Sequence, residues 1–481
     1  MPCGIGLTLR DQNALKTCYS IAWSQQNRGW ETFGASYLTD GVITTQRVKA
    51  PISNFLDLIS GIETKTDTAI VHSRYSTTSV ASKENAGPIH VKNLDNREIS
   101  LAHNGTIANY ETIRKPFLHK LKTDVDTEAI AHIFNKFESY FEAFEKCREE
   151  VIGSYNLTGL NNRGEALILR DPKGFQPLYV TSFVNNEKIM AASQDLSLRT
   201  AGYFKEVREV KPGEIIKIDK EGNIEKEEHP DKKLAQCPFE KAYFLREGCI
   251  KDGELVNDLR RKLGHLMGKN EDVKDGIVVP VLRSGTDYAF GFSEASGLPH
   301  VEALARTGSE RLYMVTNKRI RDSWLSKSER LGIKHTPVVE LMKGQKILFT
   351  EDSIVGGDTS KFVTNICKET GALEVHWRIA GFPPVTNPCL YGKDHNVKKD
   401  LLAARCASEL FGKDFDYDTI VRHQDKLEES IAKAIGADSV KYPDPDKWSK
   451  HFNGLCNHCR ACFSGEYPTE IPEEQKVNFR I

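Results

Sequence analysis

The residues best suited to chemistry lie in one short stretch, from Glu351 to Ser360. Two adjacent acids, Glu351 and Asp352, precede a run of small residues that includes two glycines, an aspartate, a threonine and a serine. Neighbouring carboxylates can accept hydrogen bonds from vicinal ribose hydroxyls, and N–H groups at a helix start can hold a phosphate. The alternative is an acidic turn before a helix with ordinary capping residues. The residue types alone leave both interpretations open.

The flanking residues predict the elements that position this stretch. Residues 346–350 and 374–380 are short β-prone runs. Apolar residues with helical spacing lie between them, at Phe362, Val363, Ile366 and Cys367. Gly371 is placed to end that helix. The pattern predicts a βαβ unit whose loop lies at the carboxyl end of a strand, where open parallel sheets bind ligands.

A second candidate is the cysteine run near the end of the chain. Cys456, Cys459 and Cys462 follow the spacing Cys-x2-Cys-x2-Cys. Turns with this spacing aim thiolates at one point, which indicates a metal site. On spacing alone, zinc and iron–sulfur fit comparably well, and unligated thiols are the alternative.

A third group of polar residues is spread over the first 130 positions. Cys3 precedes a short predicted strand, and Arg74 follows another. Asn104-Gly105 is predicted to form a turn at a strand end, and Asp126 lies where a helix with apolar periodicity begins. Each residue also has an ordinary structural explanation, as a turn or cap residue.

Length and composition limit the class of protein. A chain of 481 residues predicts two or three domains. Its net charge of −1 gives no reason to expect nucleic acid or an anionic membrane as a partner. No apolar run approaches the ~18 residues of a membrane span, and a signal-peptide pattern is missing. Eleven scattered cysteines favour a reducing compartment, so we expect the cytoplasm.

The motifs, taken in order, resemble known families. The near-terminal cysteine, an Arg28-Gly29 loop, Arg74-Tyr75-Ser76-Thr77, Asn104-Gly105 and Asp126-Thr127-Glu128 resemble class II glutamine amidotransferase domains. The stretch at 351–360 resembles the phosphoribosyl-pyrophosphate (PRPP) loop of phosphoribosyltransferases. Further segments at 170–178, 192–194 and 210–214 narrow the resemblance to the amidophosphoribosyltransferase family, over nearly the whole chain.

This resemblance implies a fold with two domains. Residues 1–235 would form an α+β glutaminase domain of the N-terminal nucleophile type, an αββα sandwich. Residues 236–481 would form an α/β phosphoribosyltransferase domain with a parallel sheet and a cysteine-bearing C-terminal tail.

The resemblance also implies site roles. Cys3 would attack the glutamine carboxamide, activated by its own α-amino group. Asn104 and the Gly105 N–H would hold the oxyanion. Arg74 would bind the glutamine carboxylate and Asp126 its ammonium, with a surface salt bridge and a helix cap as the respective alternatives. PRPP would be held by Arg283, Ser284, Gly285, Glu351, Asp352, Gly356, Gly357, Asp358, Thr359 and Ser360. For the loop at 283–285, an ordinary strand-to-helix turn is the alternative.

Cofactors follow from the same resemblance. A [4Fe–4S] cluster, or zinc as the alternative, would be ligated by Cys237, Cys389, Cys459 and Cys462, which leaves Cys456 spare. Mg²⁺ would accompany the pyrophosphate. The cation-rich segment 306–334 would be a loop that closes over PRPP, with a solvated charged face as the alternative.

Several positions depart from the family pattern. Asn27 replaces a histidine, Gln176 replaces an arginine, and the PRPP loop has Gly356 and Asp358 where the family has arginine and threonine. Because the mechanism requires a free amine on Cys3, we predict that Met1 and Pro2 are removed from the active protein.

The predicted activity is glutamine-dependent transfer of ammonia to C1 of PRPP, the first step of purine nucleotide synthesis. The changed loop leaves a paralogue with another phosphorylated sugar or nucleotide as the alternative. Pro2 and Asn27 leave a second alternative, a catalytically degraded nucleotide-sensing protein. The resemblance further implies a homo-oligomer (dimer or tetramer) regulated by purine nucleotides. From the net charge we expect no nucleic-acid or membrane partner.

Overall fold

The structure, a computed structural model, describes residues 3–75, 81–183, 187–305, 336–393 and 395–481. These residues form two compact units. The first contains the chain up to Cys237 together with 390–393 and 468–476. The second contains 238–389, 395–467 and 477–481. In the described ranges, no helix combines the length and apolar character needed to cross a membrane.

The first unit is built on two antiparallel sheets. Its strands are β1 Gly4–Leu9, β2 Thr32–Thr39, β3 Val42–Lys49, β4 Ala69–Arg74, β5 Ile89–Lys92, β6 Glu98–Ile107, β7 Gly153–Asn161, β8 Ala166–Leu169, β9 Tyr179–Thr181, β10 Ile189–Ala192, β11 Val207–Glu209, β12 Glu214–Ile218 and β13 Ile224–Glu228. One sheet has the order β11-β9-β10-β1-β4-β2-β3, and the other β13-β12-β8-β7-β6-β5. Its helices are α1 Ala14–Ser24, α2 Ile52–Ser60, α3 Tyr110–Ile113, α4 Asp126–Lys136, α5 Tyr140–Glu150 and α6 Asp195–Thr200.

Side chains that alternate between the two faces of each strand allow the unit to form four layers, with helices outside the two stacked sheets. In β4, Ile70 packs between the sheets with Leu7 and Leu160, whereas Val71 faces the other way and packs with Ile21 of α1. On the far side, α4 and α5 cover the second sheet through a cluster that includes Phe134. Successive side chains of a strand point to opposite faces, so each sheet buries both of its faces. This αββα sandwich confirms the predicted fold class of the first unit.

The second unit contains a parallel sheet. Its strands are β14 Ile277–Pro280, β15 Lys346–Glu351, β16 Glu374–Ile379 and β17 Ser439–Lys441, in the order β14-β15-β16-β17. Its longer helices are α7 Val256–Gly268, α8 Thr286–Ser296, α9 Asp358–Glu369, α10 Leu402–Phe411, α11 Tyr417–Arg422 and α12 Gln424–Ile435. Shorter helices span Glu240–Phe244, Val339–Met342, Pro445–Lys450 and Ala461–Ser464. Two short ribbons pair Ile250–Lys251 with Glu254–Leu255 and Leu304–Ala305 with Thr336–Pro337.

The predicted βαβ unit is confirmed. Strands β15 and β16 are parallel, with Lys346 opposite Glu374, and α9 connects them. Val363 and Cys367 of α9 are fully buried in the core of this unit. Gly371 has a φ of +94°, a conformation that favours glycine just after a helix. The paired-acid loop therefore lies at the carboxyl edge of a parallel sheet.

Candidate active sites

Cys3 lies immediately before β1 in the first unit. Strand pairing of Gly4 with Ser73 places Cys3 beside the end of β4, where Arg74 is the last strand residue. The buried Arg28 donates from Nε to the Cys3 carbonyl at 3.2 Å, which fixes the backbone there. The Cys3 Sγ lies 3.7 Å from the Tyr75 carbonyl oxygen. Burial raises the pKa of the Cys3 thiol, and the nearby Arg74 cation opposes that rise.

Arg74 and Asp126 carry opposite buried charges at the same site. Burial lowers the pKa of the Arg74 guanidinium, while Cys3 and Asp126 favour its charged form. Burial alone would raise the pKa of Asp126, but His103, the Ile107 N–H and Arg74 outweigh it and bring the pKa below its ordinary value. The structure thus brings together three of the residues that the sequence predicted for glutamine.

Asp126 is the first residue of α4 and does not cap it. The capping position is Val125, and no side chain accepts a hydrogen bond there. Instead, Asp126 Oδ2 accepts a 3.0 Å hydrogen bond from the Ile107 N–H at the end of β6. Its Oδ1 lies 3.7 Å from His103 Nδ1. The alternative role of Asp126 as a helix cap is therefore wrong.

The predicted turn at Asn104-Gly105 is also wrong. Both residues lie inside β6, which pairs with β7 from Ile99 to Ile107. A Cβ on Gly105 would lie 1.9 Å from the Ser154 carbonyl oxygen, so the neighbouring strand, rather than a turn, requires glycine here. The Asn104 side chain is buried, with Nδ2 3.4 Å from Ser193 Oγ and with no partner for Oδ1 among the described residues.

Sequence reasoning missed two buried histidines. His103 precedes Asn104 in β6 and contacts Thr127 Oγ1 at 3.2 Å through Nδ1. His72 lies two residues before Arg74 in β4, and burial, with help from Arg74, lowers its pKa to about 3. The available signal was their spacing, because each lies within two residues of a predicted site residue on the same strand.

In the second unit, the paired acids follow directly from β15. Glu351 ends the strand and, like Asp352, is buried. The Asp352 N–H donates to Glu351 Oε1 at 2.9 Å, and Ser353 Oγ donates to Asp352 Oδ2 at 2.6 Å. Burial, followed by the adjacent Asp352 carboxylate, raises the pKa of Glu351 well above its ordinary value.

The rest of the loop approaches other chain segments closely. Gly357 has a φ of +87°, and a Cβ there would lie 2.5 Å from Leu402 Cδ2. Gly356 is more open, since its nearest neighbours to a Cβ lie 3.7 Å away, one of them Asp358 Oδ2. Arg405 donates from Nη2 to the Gly356 carbonyl at 3.4 Å, a cation that the sequence did not predict. Asp358, Thr359 and Ser360 form the first turn of α9.

The loop at 283–285 meets the same edge of the sheet. Thr350 Oγ1 donates to the Gly285 carbonyl at 3.2 Å, and a Cβ on Gly285 would lie 2.0 Å from the Thr350 oxygen. The Ser284 side chain lies close enough to the Glu351 carboxyl to oppose the rise of its pKa. This loop, which contains Arg283, therefore lies beside the paired acids. The predicted closing loop at 306–334 lies outside the described residues, as do Met1 and Pro2.

The four predicted cysteine ligands are divided between the units. Cys237 belongs to the first, whereas Cys389, Cys459 and Cys462 belong to the second. The Cys462 carbonyl accepts hydrogen bonds from the N–H groups of Thr386 and Asn387, so this turn packs beside the segment that leads to Cys389. Thiols are soft donors that suit zinc or iron–sulfur. Yet the described residues contain no group of three or more potential ligands placed to hold a metal ion. The cluster stays a prediction.

The chain is similar in sequence to known proteins over nearly its whole length. Residues 72–200 match the model of a glutamine amidotransferase domain. The chain is 31% identical to the amidophosphoribosyltransferase of Methanocaldococcus jannaschii, covering 96% of each chain. It is 32% identical to that of Pyrococcus horikoshii, covering 97% of this chain and 96% of the relative.

A solved structure is similar over the same extent. It is the glutamine PRPP amidotransferase of B. subtilis complexed with ADP and GMP, which matches with a TM-score of 0.81 at 26% identity over 98% of each chain. The matches extend over both units, and the two archaeal relatives are more than 30% identical. The chain therefore belongs to the amidophosphoribosyltransferase family.

Proposed function

We propose that this protein transfers ammonia from glutamine to C1 of PRPP and so forms 5-phosphoribosylamine, pyrophosphate and glutamate, the first step of purine nucleotide synthesis. One observation carries the proposal. A single chain combines a buried thiol beside Arg74 and Asp126 with paired acids at the carboxyl edge of a parallel sheet. Relatives that cover nearly the whole chain bear the name of this activity.

In the glutaminase site, Arg74 binds the α-carboxylate of glutamine and Asp126 binds its α-ammonium. The Cys3 thiol transfers its proton to the free α-amine, and sulfur attacks the carboxamide carbon. Asn104 Nδ2 and the Gly105 N–H stabilise the oxyanion, and each such donor contributes about 3–4 kcal/mol in comparable enzymes. The α-ammonium of Cys3 then gives this proton to the leaving nitrogen, so collapse of the adduct breaks the C–N bond and releases ammonia. Water hydrolyses the thioester to glutamate and restores the Cys3 thiol.

In the second site, Glu351 and Asp352 accept hydrogen bonds from the two ribose hydroxyls of PRPP. Backbone N–H groups at 356–360 hold the 5-phosphate, and the loop at 283–285 holds the pyrophosphate. Mg²⁺, which prefers oxygen ligands, would accompany the substrate and would neutralise part of the charge on the pyrophosphate. Ammonia donates its lone pair to C1, and the C1–O bond breaks to release pyrophosphate.

We also propose a [4Fe–4S] cluster on Cys237, Cys389, Cys459 and Cys462, with zinc as the alternative. Support comes from the buried Cys459 and Cys462 and from the backbone bonds that hold 386–387 against Cys462. Analysis of iron, acid-labile sulfide and zinc in the purified protein tests this. Cys459→Ser should remove the bound metal, whereas Cys456→Ser, at an exposed neighbouring thiol, should retain it. Equal metal content in wild type and Cys459→Ser would contradict the assignment.

We also propose that purine nucleotides regulate this protein. The similar B. subtilis enzyme was solved with ADP and GMP, which supports purine nucleotides as regulators here. We further propose a homo-oligomer that works in the reducing environment of the cytoplasm. Inhibition of turnover by added AMP or GMP tests the regulation, and the mass of the protein in solution tests the homo-oligomer.

The main experiment measures glutamate and pyrophosphate released by the purified protein. With glutamine, PRPP and Mg²⁺ present, the two products should form in equal amounts, and pyrophosphate release should stop when glutamine is omitted. Glutamate without pyrophosphate would contradict the proposed acceptor. An intact mass should show a chain that begins at Cys3, and full activity in a chain that retains Pro2 would contradict activation by the α-amine.

A further inference from the structure

Residues 390–393 pack inside the first unit beside the predicted oxyanion strand. The ring of Tyr391 is buried and stacks on Phe175, with ring centroids 4.2 Å apart and an angle of 16° between the planes. Its hydroxyl is hydrogen-bonded to Thr469 Oγ1 at 2.8 Å. Both ends of the side chain are therefore fixed, and so is the backbone that carries it.

The carbonyl of Tyr391 links this segment to the oxyanion strand through one hydroxyl. Ser154 Oγ donates to the Tyr391 oxygen at 2.9 Å and accepts from the Thr106 N–H at 3.2 Å. Thr106 directly follows Gly105. The Ser154 hydroxyl thus joins Tyr391 to the peptide next to the predicted oxyanion donor.

Neighbouring backbone atoms also pack closely against Gly105. A Cβ on Gly105 would collide with the Ser154 carbonyl, and a Cβ on Gly392 would lie 3.6 Å from Gly105 Cα. The His103 Nε2 lies 3.1 Å from the same Ser154 carbonyl. Gly105 is therefore enclosed between β7 on one side and Gly392 on the other.

A buried glutamine and lysine hold the segment in place. Gln176 is fully buried, and its Nε2 donates to the Tyr391 carbonyl at 2.8 Å. Lys393 is 4% exposed, and its Nζ donates to Gln176 Oε1 at 3.1 Å. Gln176 thus donates through its amide nitrogen and accepts through its amide oxygen. Lys393 supplies the positive charge in this hydrogen-bonded set of Tyr391, Gln176 and Lys393. An arginine at 176 could donate to Tyr391 but could not accept from Lys393.

We propose that Lys393, acting through Gln176 and Tyr391, is a positioning residue for the Gly105 N–H in the glutaminase site. The inference rests on the proposed function, because it assigns Gly105 to the oxyanion. Loss of the Lys393 contact frees the Gln176 amide to rotate, which loosens the Tyr391 carbonyl and the Ser154 hydroxyl that it fixes. The oxyanion forms only during reaction, so a displaced donor lowers kcat and leaves the KM for glutamine nearly unchanged.

Three variants test the arrangement. Lys393→Met retains most of the side-chain length without the donor, and should lower kcat for glutamate release about tenfold or more. Gln176→Arg adds a second buried cation beside Lys393 and should lower kcat at least as much. The double variant Gln176→Arg/Lys393→Met again has one cation and one donor to Tyr391, and should recover most of the lost activity. Lys220→Met, at an exposed lysine of the same unit, is the matched control.

The readouts separate positioning from a loss of folding. KM for glutamine should change less than about twofold, and the rate of Cys3 alkylation by iodoacetamide, which requires no oxyanion donor, should match that of the wild type. Recovery in the double variant supports the proposal. Wild-type kcat in Lys393→Met, or a fall without any recovery in the double variant, overturns it. A wild-type protein that releases no glutamate would instead overturn the proposed function.

Discussion

The two sites hold their buried charges in opposite ways. In the first unit, the Arg74 guanidinium lies near the Asp126 carboxylate, whose pKa is held below its ordinary value. In the second unit, two carboxylates are adjacent, and the pKa of Glu351 is raised well above its ordinary value by burial and by Asp352. One site holds two opposite charges before any substrate arrives, whereas the other places two carboxyl groups side by side, where ionisation of both is unfavourable.

This difference indicates what each site requires from its substrate. Glutamine carries both an ammonium and a carboxylate. When it binds, its carboxylate can interact with Arg74 and its ammonium with Asp126. Ribose hydroxyls donate hydrogen bonds. They reduce the unfavourable free energy of two neighbouring buried carboxylates only while the sugar is bound. We therefore expect the first site to stabilise the free protein and the second to destabilise it.

The largest effect should come from Cys3→Ala. Loss of the nucleophile should lower glutamine-dependent pyrophosphate release by at least about a thousandfold. Release driven by added ammonium chloride should persist, because the paired-acid site is intact. Both rates are measured on the same preparation with PRPP and Mg²⁺.

The buried Cys18 of α1 provides the matched control. Cys18→Ala removes a thiol from the same unit, outside the site, and should retain glutamine-dependent activity. If Cys3→Ala abolished the ammonium-driven rate as well, the two sites would not be chemically separate, and the comparison between them would fail.

Asp126→Asn tests the complementary charges. It leaves a hydrogen-bond acceptor for the Ile107 N–H but removes the negative charge near Arg74 and His103. Removing a buried charge that neighbouring groups stabilise costs about 3 kcal/mol, so the free energy of unfolding in denaturant should fall by about that amount. The exposed Asp124→Asn is the control and should change it by less than about 0.5 kcal/mol. Equal stability in both variants would mean that the negative charge of Asp126 does not stabilise the folded protein.

The sequence predicted the positions of site residues well where these residues border a strand. It predicted them poorly where the conformation depends on partners far along the chain. Cys3, Arg74 and Glu351 border strands that periodicity reveals. Asn104-Gly105 has the local signature of a turn, but β7 supplies a pairing partner 48 residues after Thr106, and that tertiary pairing determines the conformation. The link from Gln176 to Tyr391 crosses 215 positions and has no local signature at all.

His72 gives a pH test of the first site. Its folded pKa is about 3 and its ordinary value 6.5, so between these values the unfolded state binds a proton that the folded state does not. Stability should therefore fall as the pH drops below 6.5, by about 2 kcal/mol from this residue at pH 5. His72→Asn should reduce the slope of unfolding free energy against pH over that range. The exposed His119→Asn should leave the slope unchanged, and an unchanged slope in His72→Asn would show that His72 is protonated in the folded protein.

The smallest change in the free energy of unfolding is expected for Glu351→Gln, and it should be an increase rather than a decrease. The raised pKa of Glu351 means that the folded state retains a proton which the unfolded state releases above its ordinary pKa, so stability falls as the pH rises. The amide removes this dependence and the repulsion from Asp352, so the variant should be more stable than wild type at pH 8, and the gain should be smaller at pH 5. Denaturant unfolding at the two pH values measures this gain. PRPP-dependent turnover should meanwhile fall about tenfold. A bound ribose hydroxyl favours the charged form of Glu351, and the resulting charge-assisted hydrogen bond is about 1.4 kcal/mol stronger than a neutral one. A variant that lost both stability and turnover would show that Glu351 is satisfied in the free protein, and would remove the contrast with Asp126.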